Sequence, residues 1–156
     1  MNETLTIRHG TIDDLETIST FWMAMFEEVG NHFEADFPAD WRADFREYFQ
    51  RRMRAGEAAF FVAVDGSEIV GTAGALLRDG YPVAINHIRH GYIFGVRVAP
   101  AHRRRGIAER LTREAVAYLE GSRCKTIRLH ASRFGRATYE RIGFVPTNEM
   151  ELPRSS

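Results

Sequence analysis

Cysteine, lysine and long apolar runs are scarce in this sequence. Cys124 is the only cysteine, which excludes an internal disulfide and a cluster of thiolate metal ligands. The longest apolar stretch, residues 58–64, is far shorter than the roughly 20 residues of a membrane-spanning helix. The first residues show no signal-peptide pattern. We therefore expect one compact, soluble, cytoplasmic domain over residues 1–156, without a membrane partner.

A net charge is also absent, because 21 basic residues balance 21 acidic ones. Residues 1–60 nevertheless carry twelve acidic and six basic side chains, and residues 61–156 carry nine and fifteen. This asymmetry favours an anion near the C-terminal part and a cationic partner near the N-terminal part, although two unrelated solvated faces explain it equally well. Zero net charge and the lack of a recognised binding motif argue against nucleic acid as a partner.

The hydrophobic pattern alternates between strand and helix periods. Strand patterns lie at residues 5–8, 58–64, 68–77, 92–98, 126–131, 144–145 and 149–152. Helical patterns lie between Thr11 and Gly30, at about 41–54, from Gly106 to Gly121 and at 136–142. Thr11 with Asp14 forms a variant of the capping box, and the glycines mark helix ends. This order predicts an α+β or α/β sheet covered by helices.

One strand–turn–helix segment carries chemistry suited to an anion. Its strand, 92–98, is followed by Pro100 and by the run Arg103-Arg104-Arg105-Gly106-Ile107-Ala108, which opens a helix. A helix N-terminus presents unpaired N–H groups and partial positive charge, so it binds phosphate. Gly106 lets an anion approach the backbone, and Ala108 keeps the first turn slim. The segment predicts a pyrophosphate site, with a solvated basic turn as the plainer alternative.

This segment resembles the acetyl-CoA motif of the GNAT superfamily, in which Arg or Gln, two residues, Gly, one residue and Gly or Ala follow each other. A second block, Tyr139 with Gly143-Phe144, is similar to the superfamily's Tyr-x-x-x-Gly-Phe motif at the correct distance. The resemblance extends over most of residues 58–152. It implies an acyl-CoA N-acyltransferase fold, with a mixed twisted sheet of about six to seven strands and about four flanking helices.

The resemblance implies direct transfer of the acetyl group of acetyl-CoA to a primary amine. The coenzyme would lie in a V-shaped opening between strands 92–98 and 126–131, with no metal cofactor. Tyr139 is implied as the general acid for the departing thiolate, a role that suits a phenol of pKa about 10. The implied coenzyme-binding residues are Phe94, Gly95, Val96, Arg97, Val98, Arg103, Arg104, Arg105, Gly106, Ile107, Ala108, Ser132 and Tyr139. Arg97 acts there through its backbone, and its side chain is expected to face solvent.

Two positions depart from the superfamily pattern. Ser132 stands where many relatives have an Asn that contacts the coenzyme, and Tyr92 stands where histone-type members have a glutamate base. The general base therefore stays open between a water chain and four side chains: Glu28, His32, Glu34 and His130.

The acceptor is expected to be a small-molecule amine, with a protein N-terminus or lysine as the second choice. Binding of acyl-CoA without turnover, or transfer of a longer acyl group, are the other hypotheses. Superfamily members often form dimers, so a homodimer is also open.

Overall fold

A computed structural model of the chain describes residues 5–30, 33–79 and 89–154. It contains five strands and four α-helices in those ranges. In chain order they are β1 (Leu5–His9), α1 (Leu15–Val29), α2 (Trp41–Arg54), β2 (Ala58–Asp65), β3 (Glu68–Asp79), β4 (Arg89–Val98), α3 (Ile107–Gly121), β5 (Thr126–Leu129) and α4 (Arg136–Ile142). Within the same ranges, no helix combines the length and the apolar character that a membrane crossing needs.

The strands form one mixed sheet in the order β1-β2-β3-β4-β5. The first three pairs are antiparallel, whereas β4 and β5 run parallel and are joined through α3. A parallel pair requires such a crossover connection. The predicted α+β architecture with a helix-covered mixed sheet is therefore confirmed.

Helices cover both faces of the sheet. On one face α1 and α2 pack their apolar side chains, including Leu15, Ile18 and Phe45, against Phe60. On the other face α3 packs Ile107, Leu111, Ala115 and Leu119 against Val70, Ile93 and Ala73. Because successive strand residues point to opposite faces, the continuous apolar run of β2 serves both cores.

Local sequence signals determine where α1 begins and ends. The backbone N–H of Thr11 donates to the carboxylate of Asp14 at 2.7 Å, so the capping box forms in a short 3₁₀ turn just before the helix. The helix ends at Gly30, whose φ of 76° lies in the left-handed region that favours glycine. Both boundaries agree with the sequence prediction.

The sheet has fewer strands than the six to seven expected. Residues 144–145 and 149–152 form no strand, and β5 ends at Leu129 rather than at residue 131. Alternation of apolar and polar residues gives a segment two faces, but a strand also needs a neighbouring backbone to pair with. Residues 144–152 pair with none of the described strands.

Candidate functional site

The predicted opening between β4 and β5 lies in the second half of β4. The two strands pair from His90 with Thr126 to Ile93 with Leu129, and then separate. The register between β3 and β4 shifts at this point, and Gly95 has a φ of 61°, so β4 contains a β-bulge. Residues 94–98 therefore follow the last pair with β5 and line the opening.

A buried hydroxyl holds the bulge. Thr72 in β3 is 1% exposed, and its side chain donates a hydrogen bond to the carbonyl of Gly95 at 2.9 Å. A buried carbonyl without a partner is costly, so this bond favours the bulged backbone. Sequence reasoning missed the contribution of Thr72 to this bulge, since nothing in its local sequence marks it.

Side chains from residues 94–98 anchor the strand on both faces. Phe94 stacks on Phe49 with ring centroids 5.3 Å apart, and Val96 and Val98 pack in the α3 core. The expectation of a solvent-facing side chain is wrong for Arg97. Its side chain is 14% exposed, and its guanidinium donates to the carboxylate of Glu28 at 2.6 Å.

The turn after β4 has the backbone of an anion site. Arg104 and Gly106 have φ values of 61° and 73°, both left-handed, and α3 begins at the buried Ile107. Left-handed residues at such a turn gather successive N–H groups into a concave nest, next to the partial positive charge of the helix N-terminus. A Cβ placed on Gly106 would meet no atom of the described residues within 4 Å, apart from its two chain neighbours, so the space above it is open. A nest of this kind can hold an anion, and the pyrophosphate of a coenzyme stays a prediction here.

Arg103, at the start of that turn, is held by two partners. Its Nε donates to the carbonyl of Val98 at 2.8 Å, and its Nη2 lies 3.0 Å from each carboxylate oxygen of Glu28. Burial raises the pKa of Glu28, but hydrogen bonds and charges from Arg97 and Arg103 outweigh it, so that pKa is lowered overall. A carboxylate held in this way is a poor general base.

Tyr139 is buried on α4 and lies over Gly135, one helical turn earlier. A Cβ on Gly135 would stand 2.9 Å from Cε2 and 3.3 Å from the hydroxyl of Tyr139. Burial raises the pKa of Tyr139 to about 12, so the phenol stays protonated at neutral pH. Gly135 is a second residue that sequence reasoning missed, although its i−4 spacing from Tyr139 was a usable signal.

Ser132 organises the turn that precedes α4. Its carbonyl accepts the backbone N–H groups of Gly135 and Arg136, each at 3.1 Å, and its hydroxyl also accepts from the N–H of Gly135 at 3.2 Å. Ser132 and Tyr139 therefore belong to one local unit that follows β5. The contact of Ser132 with a coenzyme stays a prediction.

A groove of about 740 Å³ runs along β5, bordered by α4 and residues 144–152. Both His130 and Tyr139 line it. The Nδ1 of His130 makes a short hydrogen bond with the hydroxyl of Tyr92, and the guanidinium of Arg78 lies 4.0 Å from the centre of the Tyr92 ring. Burial raises the pKa of Tyr92. His130 thus shares a groove with Tyr139, and its Nε2 makes no hydrogen bond within the part of the chain that the structure describes.

The other base candidates lie elsewhere. Glu34 accepts a hydrogen bond from the indole N–H of Trp41 at 3.3 Å and is 54% exposed, near Arg42. His32 lies outside the described residues. In the described part of the chain, no three His, Cys, Asp or Glu side chains are grouped to hold a metal ion. The absence of a metal cofactor stays a prediction.

Comparisons with known proteins give one family match. Residues 26–144 match the model of the acetyltransferase (GNAT) family. Among solved structures, a GCN5-related N-acetyltransferase from Ralstonia eutropha JMP134 is 30% identical, with 96% of this chain and 98% of that chain covered and a TM-score of 0.82. A search of curated proteins gave no match.

Two more distant structures show the same fold. A predicted acetyltransferase from Clostridium acetobutylicum, solved with acetyl-CoA, is 24% identical with 96% of each chain covered and a TM-score of 0.82. Glucosamine-6-phosphate N-acetyltransferase from Arabidopsis thaliana is 16% identical, with 97% of this chain and 98% of that chain covered and a TM-score of 0.70.

Proposed function

The chain belongs to the acetyltransferase (GNAT) family, and from this we propose that it transfers the acetyl group of acetyl-CoA directly to a primary amine. The observation that supports this most is that β4 parts from β5 directly before the left-handed turn at Arg104 and Gly106. One strand therefore carries both a slot for an extended chain and, at its end, a cradle for phosphates. Acetyl-CoA, which supplies the acetyl thioester, has that shape.

Backbone groups do most of the coenzyme binding in this proposal. Amides of residues 94–98 bind the pantetheine and polarise the thioester carbonyl, as oxyanion-hole donors do. Amides of residues 104–108, with the N-terminus of α3, bind the pyrophosphate, whereas the N–H of Arg103 donates to the carbonyl of Pro100 at 3.4 Å. Gly106 keeps the approach open because it carries no Cβ, and a Cβ placed there would meet no atom of the described residues within 4 Å apart from its chain neighbours. The hydroxyl of Ser132 is assigned to the coenzyme on the family pattern alone.

Two side chains handle protons. We assign the general base to His130, because among the described candidates it alone lines the same groove as Tyr139. The amine nitrogen bonds to the carbonyl carbon as the carbon–sulfur bond breaks, and the proton lost from nitrogen goes to Nε2 of His130. The departing thiolate accepts the hydroxyl hydrogen bond of Tyr139. In this step Nδ1–H of His130 donates its hydrogen bond to the oxygen of Tyr92, which fixes the tautomer whose Nε2 can accept the proton.

For the acceptor we propose a small cationic amine. Aromatic rings on α1 and α2 stand beside the opening, since a Cβ on Gly95 would lie 3.7 Å from Trp22. Trp22 in turn packs against Phe26 and Phe45, with centroids 4.7 Å and 5.3 Å away. An aromatic wall attracts cations and apolar surface, and the first 60 residues are rich in acid. A protein N-terminus or lysine is the second choice.

The test has two stages. Thermal melting with acetyl-CoA should stabilise the chain by about 2.7 kcal/mol at a hundredfold excess over Kd, whereas duplex DNA should not. An amine panel that includes peptides is then screened by thiol release. Stabilisation without release for any amine would favour acyl-CoA binding without turnover. Stabilisation by DNA alone would exclude the transferase.

We also propose a homodimer, formed when residues 149–152 of each copy pair with β5 of the other. β5 lies at the sheet edge, and Met150 and Leu152 are 93% and 75% exposed. Within one chain Glu149 lies 4.0 Å from Arg128 of β5, so the charges of segment and strand are complementary, and the same pair could form between two copies. Exposed edges and apolar side chains of this kind favour strand addition. Light scattering that finds a monomer at every concentration would exclude this arrangement.

Two expectations stay predictions beside this proposal. They are the cytoplasmic location and the single domain over residues 1–156.

A further inference from the structure

We propose that Glu28 is a positioning residue for coenzyme binding, because it holds Arg103 and so keeps the adjoining left-handed turn in its phosphate-binding form. The inference rests on the proposed function, since it takes the turn to be the pyrophosphate site. Glu28 would touch neither the thioester nor the phosphates. It would act through the two arginines that it contacts.

Glu28 joins three parts of the fold. It lies in the last turn of α1, and its carboxylate accepts hydrogen bonds from Arg97 of β4 at 2.6 and 3.2 Å. It also accepts from Arg103 of the turn at 3.0 Å through both oxygens. Arg103 is tied back to β4 by its bond to the carbonyl of Val98. The turn is therefore fixed to α1 and β4 by charge-assisted hydrogen bonds, which are the stronger kind.

The residue that follows Arg103 explains why this tie matters. Arg104 has a φ of 61°, a conformation that side-chain-bearing residues seldom adopt and that persists only where the surroundings hold it. Its neighbour on the other side, Arg105, is followed by the left-handed Gly106. Without the tie at Arg103, Arg104 is free to relax, and the N–H groups of the turn would no longer converge on one anion.

The direction of the change in acetyl-CoA affinity distinguishes a positioning role of Glu28 from a purely electrostatic one. Glu28 places a negative charge near a proposed polyanion site, so charge alone predicts that Glu28→Gln tightens acetyl-CoA binding. Positioning predicts the opposite, because Gln cannot hold two guanidinium groups as a carboxylate does. Among the described residues the adjacent Glu27 is exposed, accepts a hydrogen bond from the N–H of Glu34 and forms no ion pair with either arginine. Because a Gln side chain can also accept that bond, Glu27→Gln is a matched control for the charge.

The experiment measures binding by calorimetry for the full chain and both variants. We expect Glu28→Gln to weaken acetyl-CoA by about tenfold, the size of one lost hydrogen bond to a charged group. Acetylpantetheine, which has the thioester but no phosphates, should bind wild type and Glu28→Gln equally well. Glu27→Gln should match wild type with both compounds. An equal loss for acetylpantetheine would mean a general structural defect and would overturn the proposal.

A second set of variants tests the strain itself. Arg104→Gly and Arg104→Ala remove the same charge, but only Gly adopts the left-handed conformation without cost. We expect Arg104→Gly to bind acetyl-CoA more tightly than Arg104→Ala, and we expect this difference to be larger when Glu28 is also replaced by Gln than when Glu28 is present. The same advantage in both backgrounds would overturn the proposal, and so would tighter binding by Glu28→Gln. A wild-type chain that binds no acetyl-CoA would instead remove the proposed function.

Discussion

Replacing Tyr139 by Phe removes one hydroxyl from a buried ring, and the structure sets the size of the expected effect. In the described residues that hydroxyl makes no hydrogen bond to another protein group, so the fold should lose little when it is removed. A phenol acting as a full general acid contributes about 10² to 10⁴-fold to the rate. Burial raises the pKa of Tyr139 to about 12, however, which makes it a weaker acid.

Proton transfer from such a phenol to a thiolate with a conjugate-acid pKa of about 8.5 is uphill by about 5 kcal/mol. Tyr139 is therefore better suited to donate a hydrogen bond to the departing thiolate than to hand over its proton. A hydrogen bond to a charged group is worth about 1.5 to 3 kcal/mol, which corresponds to about 10- to 150-fold in rate. We expect a fall in kcat within that range for Tyr139→Phe.

The assay is pre-steady-state acetyl transfer at pH 7, with an amine taken from the thiol-release panel. Acetyl-CoA affinity and the melting temperature of the Phe variant should match wild type, because only a transition-state contact is lost. An unchanged rate of the chemical step would remove Tyr139 from the mechanism and leave it a packing residue. A rate loss that merely follows weaker acetyl-CoA binding would refute the assigned role as well.

Four further perturbations have defined outcomes. Gly106→Val should weaken acetyl-CoA binding in calorimetry. Gly56→Val, which has a similar left-handed φ of 72° but lies away from the turn, should lower only the stability of the fold. Equal acetyl-CoA affinities for the two variants would exclude the phosphate site. Gly135→Ala should lower kcat with little change in affinity, because its Cβ displaces Tyr139, and an unchanged kcat would contradict that geometry. His130→Gln should lower kcat/KM for acetyl transfer with little change in acetyl-CoA affinity, since Gln cannot take up the proton that the amine loses; an unchanged kcat/KM would exclude His130 as the base. The pKa of Tyr139 is about 12 in the folded state and about 10 in the unfolded state, so the free energy of unfolding should fall by about 2 to 3 kcal/mol as the pH rises from about 10 to 12. Denaturant titrations in which Tyr139→Phe shows the same fall would contradict this.

The sequence determined what depends on near neighbours. The start of α1 at Thr11 and Asp14, its stop at Gly30 and the end of α4 at Gly143 were predicted, because caps and left-handed stops involve residues about four positions apart or fewer. The turn at Gly106 was predicted for the same reason. The two family motifs also predicted the fold, because each motif consists of residues that are close together in the sequence.

Tertiary structure decided everything that depends on register and on packing between distant elements. Glu28 contacts Arg97, 69 positions away in the sequence, and Arg103, 75 positions away. These contacts show that Glu28, a candidate base from the sequence, is a carboxylate bound by two arginines. Tyr92 reaches His130 across 38 positions only because β4 and β5 are parallel neighbours. Residues 149–152 have a strand pattern but pair with none of the described strands, so the pattern alone did not decide their structure. A sequence pattern specifies the faces of an element, but its neighbours are chosen by the free energy of the whole packed fold.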